Sequence, residues 1–217
     1  MDGEGRSSVA GVLPPLFHAE ASLVFSRHFG RRSPFWQEFR RALRTTYGAM
    51  ARVDILQRAP EGAVPSLLRL YADSYDILHV ASYAACVATG KKRWVPLIRR
   101  CGGAIAKGCQ ILDDIADLAE DLGGGRRTYV AHRLAHGADA GPVQVAQGLL
   151  GSDRLEELLS EARSHMEKGR DELVASGITV DDGLFGEYAA SIASERLRLR
   201  RNRVGRILGV VPATGTG

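Results

Sequence analysis

The chain has 217 residues, 45% hydrophobic and 25% charged, which is the make-up of an ordinary globular domain. Such a length buries roughly 70% of the unfolded surface, and the formal charge of +4 is too small to mark a nucleic-acid binder in the absence of any recognised module. No apolar run reaches the roughly 18 residues that a membrane span requires, and Cys86, Cys101 and Cys109 fit neither a disulfide framework nor a zinc pattern, so packed thiols in a reducing, cytoplasmic setting are expected.

In chain order, residues 1–8 are small and polar and read as disordered. A first helix is expected from about Pro15 to Phe29, broken by the GRRSP turn. Ser33 and Pro34 then signal a second helix start. Phe35, Phe39, Leu43, Met50, Val53 and Leu56 follow at helical spacing on a segment whose polar side is rich in arginine. Pro60 and Pro65 punctuate the next join. Leu67 to Thr89 reads as one long helix closed by Gly90, and Trp94 to Leu122 as another, stopped by the glycines at 123–125. Thr128 to Ala135 is a short amphipathic piece. Further helices are expected over Gly141–Leu150, Asp153–Ala175 and Asp181–Leu208, with Asp153 and Asp181 as N-caps and a frayed tail after them.

No alternating strand pattern appears, and no fixed-period repeat. The expected fold is therefore all-α: a single domain over residues 9–208, built as an antiparallel helical bundle with its site in the core, between a disordered N-terminus and a flexible tail at 209–217. Gly102 and Gly103 inside the long helix serve either a tight helix crossing or a crowded cavity wall.

Residues 107–128, KGCQILDDIADLAEDLGGGRRT, hold the chemistry. Asp113, Asp117 and Asp121 recur every four residues, with Glu120 beside the last. On a helix these carboxylates form one stripe, with Gln110 close to it, and like charges at that spacing repel. Mg²⁺ would relieve the repulsion, binding through a few carboxylates and substrate phosphates. Arg126 and Arg127 follow just past the helix, suited to phosphate oxygens. The alternative reading of the stripe is a solvated helix face.

GCQILDDIADLAED resembles the second aspartate-rich motif of the class I isoprenoid synthases. These comprise the trans-polyprenyl diphosphate synthases and their terpene-cyclase and squalene/phytoene-synthase relatives. In that family a glycine and a glutamine, here Gly108 and Gln110, precede DDxxD on a long helix. The continuation through Glu120 and Asp121 to GRRTYV is similar to the squalene/phytoene branch, and the resemblance spans roughly residues 70–135. It implies a bundle of the isoprenoid-synthase type with a central cavity, and a Mg²⁺-dependent reaction on an allylic prenyl diphosphate, either prenyl transfer or terpene cyclisation. It implies catalytic roles for Asp113 and Asp117, metal ligation by Asp113, Asp114, Asp117, Glu120 and Asp121, and diphosphate contacts from Gln110, Arg126 and Arg127. Tyr75, Tyr83 and Trp94 are core residues on the simple reading and cation-stabilising faces on the family one.

The family's first aspartate-rich motif is absent. HAEASLVFSRHF, residues 18–29, is similar to that region but carries Ser26 and Arg27 at the aspartate places, and the later pair Asp73 and Asp76 lies too near the second motif. A degenerate, noncatalytic binding or partner subunit is therefore the alternative. Relatives are often dimers, so a homodimer or a partner synthase subunit is expected. His79 reads as a hydrogen-bonded core histidine. His132 and His136 lack a third zinc ligand. The arginines between Arg196 and Arg206 suggest peripheral contact with an anionic membrane surface.

Overall fold

The computed structural model describes residues 18–58, 64–134 and 153–178. The helices expected at 141–150 and 181–208, the C-terminal arginines, both chain ends and His136 lie outside these residues. The elements in order are α1 (residues 18–26), α2 (Phe35–Arg58), α3 (Val64–Ser74), α4 (Val80–Ala88), α5 (Val95–Ala116), α6 (Leu118–Gly123), α7 (Tyr129–Leu134) and α8 (Asp153–Ala175). Short 3₁₀ turns cover Asp76–His79 and Lys92–Trp94. The described residues contain no strand, so the chain is all-helical there. None of their helices is long and apolar enough to cross a membrane.

α2 and α8 match the expected spans closely because their apolar positions repeat at helical spacing. Phe35, Phe39, Ala42 and Leu43 are buried on α2, and Leu155, Leu158, Leu159, Ala162 and Met166 on α8. The helix expected over Leu67–Thr89 is instead two, α3 and α4, separated by a 3₁₀ turn. The cause is tertiary. Thr46 on α2 takes the Ile77 backbone N–H on its Oγ1 at 3.0 Å, and Asp76 turns inward to Arg99. Likewise the expected Trp94–Leu122 helix divides into α5 and α6, with Asp117 between them at φ −96°, ψ 5°. The third glycine of the run stops α6. Gly125 sits at φ 73°, open to a residue without a Cβ, and its N–H and that of Arg126 bond to the carbonyls of Leu122 and Asp121, as in a Schellman closure.

Two apolar clusters form the core. One joins Leu67, Tyr71, Ile111, Ile115, Val130, Leu158 and Met166, drawn from α3, α5, α7 and α8. The other joins Phe35, Phe39, Val80, Tyr83 and Val95, with Phe25 of α1 packed against it. Cys86 and Cys101 are buried free thiols, as expected, and Cys109 is partly buried. Burial, followed by the charge of Glu172, pushes the Cys101 thiol up to about 11.

α5 touches both clusters, as α2 does, and glycines set how closely it approaches its neighbours. A Cβ on Gly169 of α8 would lie 2.6 Å from the Cys101 carbonyl oxygen and 3.0 Å from Ile105. A Cβ on Gly108 would collide with Met166, and one on Gly102 with the His79 ring. These glycines therefore serve close crossings. His79 departs from expectation, because its buried Nε2 has no hydrogen-bond partner among the described residues. Gly169→Ala is expected to cost about 1–3 kcal/mol of unfolding free energy through overpacking. Gly48→Ala, at a helical site with nothing within 4 Å of the added Cβ, should instead stabilise by about 0.5–1 kcal/mol. Urea titrations of the two variants check this pair of opposite signs.

Candidate functional site

The acids of the α5–α6 junction fall into two groups. Asp114 is almost fully buried, at 2% exposure. Its Oδ1 accepts from Gln110 Nε2 at 3.1 Å, and its Oδ2 from the Tyr71 hydroxyl at 3.4 Å and the Val130 N–H at 3.3 Å. The Tyr71 oxygen in turn accepts from the Tyr129 N–H and from Gln57 Nε2. Tyr75 donates to Gln110 Oε1 at 3.3 Å. One carboxylate thus satisfies the start of α7 and ties α3, α5 and α7 together, as a buried polar group requires. Burial raises its carboxyl to about 6, opposed by the hydrogen bonds from Gln110 and Val130.

Asp113, Asp117 and Glu120 are exposed, and Asp121 is half-buried. Burial and then the charge of Asp117 raise the Asp113 carboxyl. Asp121 is raised by burial, lowered by Arg126, and raised again by Asp117 and Glu120. The charge of Asp117 thus acts on both Asp113 and Asp121. Asp121 lies 4.0 Å from the Arg126 guanidinium, whose side chain is 63% exposed. The Arg127 N–H is bound to the Gln57 carbonyl at 2.8 Å.

The structure thus brings Asp113, Asp117, Asp121 and Arg126 to one edge. It directs Asp114 and Gln110 inward instead, into a network that holds the fold. Among the described residues no three His, Cys, Asp or Glu side chains are arranged to hold a metal ion. What this edge offers a divalent cation is the exposed pair Asp113 and Asp117, too few for an all-protein cage.

α1, which spans the place of the absent first motif, packs its Phe25 against Phe35 and Phe39. Its Ser26 hydroxyl bonds to the Leu23 carbonyl. The aromatic faces are engaged by the protein's own cations. Arg99 lies 4.8 Å over Tyr83 and Lys91 4.6 Å over Trp94. Asp76 is buried, accepting from the Tyr83 hydroxyl and from Arg99 Nε at 3.0 Å, while Arg99 Nη2 donates to Glu38 at 3.2 Å.

A cleft of about 510 Å³ opens between α2, α3, α5 and α8; the sequence had singled out Gly103, Asp73 and Asp76 of its lining but none of its cations. Arg99, Gly103, Lys107, Gln110 and Asp114 follow one another at spacings of three or four on α5, and that stripe was the available signal. No family model, curated protein or solved structure matches the chain.

Because Asp114 has a higher carboxyl pKa when folded, the native state binds more protons than the unfolded chain between about pH 4 and 6. Its contribution to stability is present at low pH and lost as pH rises through about 6. The stability of the wild type relative to Asp114→Asn should therefore grow by about 2–3 kcal/mol from pH 7.5 to pH 3.5. Urea melts of the two proteins at both pH values test this.

Proposed function

We propose that this chain handles an allylic prenyl diphosphate in the manner of the class I isoprenoid synthases, with Mg²⁺ held by Asp113 and Asp117 and its remaining ligands supplied by water and the diphosphate. The observation that carries the reading is the like charge gathered along this edge, which Arg126 offsets only at Asp121. Three coupled carboxylates stand there with one loosely placed arginine, although a fold without use for them would gain by losing them. The resemblance of residues 108–121 to the family's second motif supports the same assignment.

The roles follow from position. Asp113 and Asp117 would hold the cation, and Asp121 keeps Arg126 beside them. Arg126 sits in the closure after α6, and its exposed guanidinium would offer phosphate oxygens a planar fork of donors. Mg²⁺ supplies neutralisation of the charge that gathers on diphosphate as the C–O bond breaks. Asp114 and Gln110 act as positioning residues, since their network fixes the rotation of α5 and so the direction of Asp113 and Asp117. Whether the allylic group goes to another isoprenoid, to an internal double bond or to water is a property of the acceptor.

The second reading, a noncatalytic binding or partner subunit, is favoured by one specific observation. The region of the absent first motif is packed into an aromatic cluster and carries Ser26 and Arg27 in place of acids. Pyrophosphate release from geranyl, farnesyl and geranylgeranyl diphosphate separates the two. The synthase reading expects Mg²⁺-dependent release that Asp113→Ala reduces on the order of 10²-fold or more. Silence with every chain length, alone and with a partner synthase, leaves the subunit reading. In metal-free buffer Asp117→Asn should raise stability by about 0.3–0.5 kcal/mol by relieving like charges. Added Mg²⁺ should raise the wild-type Tm but not that of the variant.

A further inference from the structure

The cleft between α2, α3, α5 and α8 carries a concentration of charge that the acidic edge does not explain. Six cationic side chains line it against three carboxylates. Its floor is made of small residues: Ala72 of α3 faces Gly103 of α5 so closely that a Cβ on Gly103 would lie 3.3 Å from the Ala72 Cβ. Above this floor two of the cations are neutralised. Arg99 pairs with Asp76 and Glu38, and Arg100 lies 3.5 Å from Glu172. The other four, Arg41, Arg69, Lys107 and Lys168, form no ion pair among the described residues. They come from four different helices and converge on one hollow.

This excess is felt inside the cleft. His165 is held toward its neutral form by burial and then by Lys107, with Lys168 acting in the same direction and Glu161 against it. Burial raises the Asp73 carboxyl, with Asp76 adding to it, and the charges of Arg69, Lys107 and Arg52 act against that rise without forming an ion pair with it. Unspent positive charge in a concave site lowers the energy of an anion there. The volume is that of a small-molecule site. A convergent set of cations from four helices suits a compact polyanion, whereas a nucleic acid is met by a basic stripe or extended face.

We infer that this cleft binds an oligophosphate group without the help of a metal, held by Arg41, Arg69, Lys107 and Lys168 over the Ala72–Gly103 floor. The site shares no residue with the Asp113–Asp117 edge and does not depend on the synthase reading. The phosphate can belong to a free polyphosphate or to a lipid headgroup. A groove of about 430 Å³ lined by Ile55, Leu56 and Leu70 adjoins the cleft and shares Arg69 and Asp73 with it, which gives a lipid tail a place to lie.

Isothermal titration calorimetry of the full chain in metal-stripped buffer tests the inference, with inorganic pyrophosphate and geranyl diphosphate as probes. Saturable binding is expected for both, weakening as salt is raised. Lys107→Ala/Lys168→Ala should weaken it about tenfold or more. Lys168→Gln alone, at an exposed position, should also weaken it. Arg31→Ala/Arg32→Ala, with the same change in net charge outside the cleft, should leave it within about twofold, since distant exposed charges are screened. Asp113→Ala should not diminish it, which separates this site from the metal edge. Equal affinity for the two probes assigns a bare polyphosphate, and markedly tighter geranyl diphosphate assigns a lipid headgroup. Absence of saturable binding for both probes, or binding that both lysine variants leave intact, overturns the inference.

Discussion

The rotational setting of α5 is the constraint on which the rest of this structure depends. A helix can present any residue to any side until something fixes its rotation, and here two kinds of contact do so. Gly102, Gly108 and the facing Gly169 of α8 allow approaches that a Cβ would block. At the far end a carboxylate is buried, which is tolerable only where its oxygens are hydrogen-bonded. Asp114 meets that condition through Gln110, Tyr71 and the start of α7. Once Asp114 points inward, Asp113 and Asp117 point out, and Lys107 and Gly103, seven and eleven residues before it, line the cleft beside α3.

The result is a helix that keeps its charges apart. Acids gather at its C-terminal junction, and unpaired cations gather around the cleft, Lys107 from α5 itself and the rest from α2, α3 and α8. Had stability alone been served, these groups would pair closely, yet at the junction Asp121 lies 4.0 Å from the Arg126 guanidinium. The neutralised charges are those that hold the scaffold. Asp76, Arg99, Glu38 and Tyr83 form a buried network that joins α2, α4, α5 and the 3₁₀ turn. Spent charge in the scaffold and unspent charge at two open sites is the division on which the proposed metal grip and the inferred oligophosphate site both rest.

The parts of this arrangement that rest on local pattern were legible in the sequence. The apolar repeats of α2 and α8, the stop at the glycine run and the series of Asp113, Asp117 and Asp121 all follow from spacing. The breaks at Asp76–His79 and at Asp117 did not show, because they depend on partners distant in sequence: Thr46 for Ile77 and Arg99 for Asp76. The opposite fates of Asp113 and Asp114 were also hidden. Adjacent acids differ by about 100° around a helix, and only the position of α7 decides which is taken in. The cleft was least legible, since Arg41, Arg69, Lys107 and Lys168 are scattered over four helices and converge only in the fold.

Paramagnetic Mn²⁺ in place of Mg²⁺ tests the central claim most directly. Amide signals of the protein are followed by NMR as Mn²⁺ is added with pyrophosphate. Asp113, Asp117 and Asp121 should broaden first, with Arg126 beside them, and an excess of Mg²⁺ should restore the signals. Broadening spread over unrelated surface acids, or none at the α5–α6 junction, would contradict the assignment of that edge as a metal grip.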